Sequence, residues 1–114
     1  MTVPVPAAIT EVMAAGYPPA QVFALPAGAV SSLITSRVSL LYGWWIANTD
    51  AAVVHTGRIV DGTDGTGMHV AGGVLPPYAV SGVLADGPGI LMRNGIWATK
   101  DDAAIELHVF FALL

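Results

Sequence analysis

The chain predicts an all-β domain, an antiparallel β-sandwich or jelly roll of about seven or eight short strands. Three observations lead there. From about Leu33 onward, short runs of β-branched and aromatic residues alternate between two faces. Turn clusters separate these runs at sandwich-like spacing: NTD at 48–50, DGTDGTG at 61–67, PP at 76–77, DGPG at 86–89 and NG at 94–95. No helical periodicity intervenes, so the crossovers of a parallel α/β fold have nothing to be built from.

The 114 residues suffice for one hydrophobic core and not for two. Residues 1–32 read as an extended Pro- and Ala-rich arm, because Pro4, Pro6, Pro18, Pro19 and Pro26 interrupt any long regular element. A short helical turn fits Ile9–Ala15, with Thr10 and Glu11 to start it and Gly16 to stop it. Residues 33–114 read as the sandwich. In the run 38–47, strand alternation puts Val38, Leu40, Tyr42, Trp44 and Ile46 on one face, expected toward the core, and Ser39, Leu41, Gly43, Trp45 and Ala47 on the other. After the polar turn at 48–50, residues 52–60 read as a returning strand, with a hairpin as the simplest connection.

DGTDGTG has three glycines in seven residues, the composition of a sharp turn. Residues 68–75 form a strand weakened by Gly72 and Gly73, Pro76 and Pro77 end it, and 78–84 supply the next. Asn94–Gly95 is the strongest hairpin signal, joining 90–92 to 96–99. In the last run Ile105, Leu107, Val109 and Phe111 form one apolar face; Glu106, His108, Phe110 and Ala112 form another that turns from polar to apolar, so its end is expected to meet a further surface.

Composition bounds function. Apolar residues make up 54% of the chain and charged residues 11%, against about 25% charged in an ordinary soluble domain. A small monomer has too little interior for so much apolar surface, which predicts burial between subunits. The net charge of −4 and four scattered bases, Arg37, Arg58, Arg93 and Lys100, argue against a nucleic-acid partner. With no cysteine, disulfides and thiolate zinc sites are excluded. Residues 1–6 lack the basic and apolar regions of a secretory signal. The apolar run 38–47 is about half a membrane span, so no membrane partner is expected.

No motif carries chemistry. DGTDGTG lacks the alternating acidic ligands and distal Glu of a calcium loop, and the Lys-Ser or Lys-Thr of a phosphate cradle. His55, His69 and His108 have no metal-ligand spacing, and no nucleophile elbow surrounds Ser31, Ser32, Ser39 or Ser81. Asp101 and Asp102 read as a turn before the last strand. Neither cofactor, metal nor catalytic residue is expected. Trp44 and Trp45 point to opposite faces, so with Trp44 in the core, Trp45 and Leu41 must meet another surface; a sugar-stacking platform competes, weakened by the apolar neighbours on its own strand.

The order SRVSLLYGWWIANTDAAVVHTGRIVDGTDGTG, a proline break, GPGILMRNGIWA and a final β run resembles small β-sandwich structural proteins of tailed bacteriophages. Gly43, Asp61, Gly62, Gly89, Ile90, Asn94 and Gly95 carry the likeness, over about residues 36–114. It implies a non-enzymatic virion component made in the host cytoplasm: a capsid decoration or cement protein on the capsid surface, binding the major capsid protein and itself, a trimer first. A tail- or fibre-associated module and a carbohydrate-binding module are the alternatives. The expected oligomer or capsid contacts are Val3, Val5, Tyr17, Val22, Phe23, Leu41, Trp45 and Phe110, with residues from about Val3 to Pro26 lying along the shell or a neighbouring subunit.

Overall fold

Apolar alternation needs two layers to bury one face of each strand, and the chain supplies them as two antiparallel sheets. The computed structural model describes residues 21–26, 30–84 and 89–114. Nine strands and no helix form among them: β1 (Gln21–Ala24), β2 (Ser31–Thr35), β3 (Ser39–Asn48), β4 (His55–Asp61), β5 (Met68–Leu75), β6 (Val80–Leu84), β7 (Ile90–Met92), β8 (Ile96–Lys100) and β9 (Ile105–Leu113). The first sheet runs β1-β9-β3-β6, with β7 also on β3; the second runs β2-β8-β4-β5. β6 pairs with residues 43–47 of β3 and β7 with 39–41, so these two strands lie end to end along one edge. The expected antiparallel sandwich is what forms.

The core lies between the sheets. Leu41, Ile46, Met92, Ile105, Leu107, Val109 and Phe111 from the first sheet meet Ile59, Ala71, Leu75, Ile96 and Ala98 from the second. β9 obeys its alternation along its whole length. Its other face ends at Phe110 and Ala112, which with Tyr42, Val22 and Leu40 make a second, smaller apolar cluster on the reverse of the first sheet.

β3 does not keep its alternation. Leu41 pairs with Phe111 but Gly43 with Phe110, so two residues, Tyr42 and Gly43, oppose one. This bulge switches the parity of the strand. Leu41 before it and Ile46 after it both reach the core at 0% exposure, while Tyr42 and Leu40 join the reverse cluster. The expectation of one continuous face from Val38 to Ile46 is therefore corrected. Val38 precedes the strand and is exposed.

The connections also differ from expectation. β3 and β4 belong to different sheets, as do β7 and β8, so neither 48–50 nor Asn94–Gly95 closes a hairpin. At the second turn the Asp61 carboxylate accepts hydrogen bonds from the backbone N–H groups of Asn94 (2.9 Å) and Arg93 (3.3 Å), which leads the chain across the sandwich. Of the consecutive strands, only β4 and β5 pair with each other, around DGTDGTG, where the Asp64 carboxylate accepts from the Thr66 N–H at 2.8 Å. The strand expected at 52–60 starts at His55, and the one at 78–84 starts at Val80.

The N-terminal boundary moves as well. β1 pairs with β9 and β2 with β8, so the sandwich takes in residues 21–24 and 31–32 from the stretch read as arm. Both strands are short, which hid them from pattern reading.

Candidate interaction surface

Four connections meet at one end of the sandwich, because β1, β3, β5 and β8 finish there and β2, β4, β6 and β9 begin there. Asn48, the last residue of β3, joins two of them. Its buried amide donates to the carbonyls of Leu75 (2.9 Å), Val53 (2.9 Å) and Pro76 (3.2 Å), and its side-chain oxygen accepts from the Asp50 N–H at 2.9 Å. Its own N–H donates to the Ala79 carbonyl at 2.9 Å. One side chain thus ties the 49–54 loop to the 76–79 turn.

His55 ties the same loop to the 101–104 turn. Its Nε2 lies 3.0 Å from Asp50 Oδ2 and 4.0 Å from Asp102 Oδ1, and its Nδ1 lies 3.3 Å from Asp101 Oδ1. A neutral imidazole has one N–H and can satisfy a carboxylate on one side only, whereas the imidazolium donates on both. The Asp50 hydrogen bond accordingly raises the His55 pKa, against the opposing effect of burial, and the charges of Asp101 and Asp102 add to it. The Asp50 pKa is lowered by the Ala52 N–H, then by His55 and the Val53 N–H. Thr49 completes the tie, donating from its N–H (2.9 Å) and hydroxyl (2.6 Å) to the Ala104 carbonyl. Lys100 is buried beneath, its ammonium donating to the Ile105 carbonyl at 3.0 Å; desolvation lowers its pKa, and Asp102 and Glu106 oppose that.

On this hydrogen-bonded base, beside the exposed carboxylates of Asp101 and Asp102, stand several exposed apolar side chains. Val53 and Val54 are half exposed, Val74 is 70% and Tyr78 69% exposed. Tyr78 occupies a turn in which the Ala79 N–H donates to the Pro76 carbonyl at 3.0 Å. Pro77 suits the second position of that turn, but the third needs positive φ, and Tyr78 adopts φ 60° without being glycine. The conformation holds the phenol outward.

The residues expected to make contacts are dispersed. Val3, Val5 and Tyr17 lie outside the described residues. Val22 and Phe23 are half-buried on β1, the first against the reverse cluster and the second against the core. Phe110 is buried in the reverse cluster. Leu41, sealed in the core, offers nothing to an outer surface, a correction that follows from the bulge. Trp45 is 46% exposed on the reverse of the first sheet, and Trp44 packs against the core. His55, His69 and His108 stand on β4, β5 and β9, and among the described residues no group of three His, Asp or Glu side chains is arranged to hold a metal ion. Ser39 is buried, its hydroxyl donating to the Arg37 carbonyl at 2.9 Å.

Sequence reasoning missed the loop end as a unit. Val53, Val54 and Tyr78 sit in turns, where apolar residues draw no attention singly. No protein-family model, curated protein or solved structure matches the chain.

Proposed function

We propose that the chain is a non-enzymatic structural protein of a tailed-phage virion, a capsid decoration or cement protein that acts on the shell as a homo-oligomer. One observation carries this reading: a stiff β body whose loop end is locked by Asn48 and His55 yet presents Val53, Val54, Val74 and Tyr78 to solvent. Locked loops lose little entropy on docking, and apolar side chains on them gain from it. The resemblance to phage structural proteins supplies the setting, and the scarcity of charge fits a surface that is covered in use. The partners are other copies of this chain, a trimer first, and the major capsid protein. The stretch that precedes β1 supplies the second contact with the shell.

The test has two parts. Native mass measurement of the purified protein is expected to give more than one copy, and a monomer at high micromolar concentration ends the self-association reading. The full chain is expected to remain on heads through sedimentation while a variant lacking residues 1–20 is lost. Equal occupancy by the two forms overturns the assignment of shell contact to that stretch.

A further inference from the structure

The reverse of the first sheet carries an exposed aromatic platform built from three strands, separate from the loop end. Trp45 on β3 is paired with Gly82 on β6 and with His108 on β9, so the three residues share a row and a face. A Cβ on Gly82 would stand 2.8 Å from Trp45 Cε3 and 3.3 Å from Cζ3. The six-membered ring of the indole therefore occupies the space over Gly82 and leans along the sheet. The Cε3–Cζ3 side of the ring takes the room that a side chain at position 82 would fill, and Trp45 is still 46% exposed.

The next row on the same face holds Val80, Ala47 and Glu106. Val80 extends the apolar shelf on the side toward which the ring leans. His108, directly opposite Trp45, and Glu106, its diagonal neighbour, place an imidazole and a carboxylate along the other side, within the roughly 5–8 Å that separates such pairs. The neighbours on β3 itself, Gly43 and Ala47, are apolar, and β9 alone supplies the polar groups. That arrangement of an indole shelf with a polar margin matches a pyranose ring, which presents a C–H face for stacking and hydroxyls at its edge.

We infer that Trp45, with Val80, His108 and Glu106, forms a binding site for a neutral hexopyranose unit of an oligosaccharide. Stacking on the indole supplies most of the contact. His108 and Glu106 take the hydroxyl hydrogen bonds and set orientation. Charge favours neutral sugar: Glu106 stands beside the shelf, Lys100 is buried with its ammonium held on the Ile105 carbonyl, Arg58 stands on the second sheet, and Arg37 and Arg93 adjoin the Ser39 end of β3, remote from Trp45, so none of the four cations is set to receive an acidic glycan.

The test uses the full chain with cellohexaose, maltohexaose, chitohexaose and a hexauronate, observed by saturation-transfer NMR and titration calorimetry. At least one neutral hexasaccharide is expected to bind, more tightly than the hexauronate. Trp45→Ala is expected to weaken it at least tenfold with an unchanged unfolding midpoint, Trp45→Phe less, and Glu106→Gln with His108→Ala several-fold. Failure of all three neutral sugars to bind, or equal binding by Trp45→Ala and the parent chain, overturns the inference. Conversion of an oligomer to monomers by Trp45→Ala, with no sugar bound by either form, assigns the shelf to a second copy; it overturns the sugar site and leaves the structural role standing.

Discussion

At the residue scale, Asn48 and Gly72 show how single positions decide the path of the chain. The Asn48 amide serves the Val53, Leu75 and Pro76 carbonyls from a buried position, so its removal leaves acceptors without a donor. Asn48→Ala is expected to cost about 2–4 kcal/mol in chemical denaturation. Asn48→Asp, of the same shape but without donors, should cost more near neutral pH than at acid pH, where the carboxyl gains a proton. A variant as stable as the parent would show that the loop end is held by other contacts. Gly72 and Gly73 both have positive φ, 87° and 142°, yet their surroundings differ. A Cβ on Gly72 would collide with the Gly57 carbonyl oxygen and approach Ile46 Cδ1 to 2.9 Å, while one on Gly73 meets nothing within 4 Å. Gly72→Ala should therefore destabilise by more than about 3 kcal/mol and Gly73→Ala by about 1–2 kcal/mol. Equal losses would mean that backbone conformation, not close approach, governs β5. Trp44 Nε1 has no hydrogen-bond partner although it is buried, so Trp44 packs against the core at the expense of an unsatisfied donor.

At the element scale, the 49–54 loop and the 101–104 turn are joined through His55, and the join depends on protons. The folded-state pKa of His55 is raised, so its contribution is fully present below the unfolded value of about 6.5 and is lost as pH rises through the raised folded value. The Asp50 pKa is lowered, so its contribution is present above the ordinary carboxylate value and is lost as pH falls through the lowered one. The clamp is tightest between those limits. Thermal midpoints are expected to fall as pH rises from about 6 to about 9, and His55→Gln should lower the midpoint on the acid side and flatten that slope. Parallel profiles for the two proteins would remove His55 from the account. β3 gives the second element-scale result: its bulge moves Leu41 into the core and Tyr42 to the reverse face, so one strand feeds both apolar clusters.

For the whole molecule, the sandwich separates roles by surface. The interior takes the alternating faces of both sheets, the loop end takes Val53, Val54, Val74 and Tyr78, and the reverse of the first sheet takes Trp45. If the loop end is the contact between copies, Val53→Asp together with Tyr78→Ser should convert an oligomer to monomers, with the unfolding free energy per chain little changed, because these side chains are already in water in one subunit. An assembly unaffected by both substitutions would move the contact elsewhere.

The sequence by itself determined the all-β class, the breaks after β3, β4 and β5 and at Asn94–Gly95, and the faces of β9, because these depend on neighbours along the chain: period-two alternation, proline breaks and glycine clusters. It also marked Trp44 and Trp45 for opposite faces, an outcome that survives the bulge because both residues follow it. Only the tertiary structure decided the partner of each strand. Turn residues report that the chain reverses without reporting into which sheet, and Asp61 with Asn48 settled that through hydrogen bonds to residues remote in sequence. The shift of parity in β3 escaped for the same reason. An extra residue is visible only against the strand it fails to match, so the burial of Leu41 and the polar margin that β9 lends to Trp45 exist only once strands distant along the chain lie side by side.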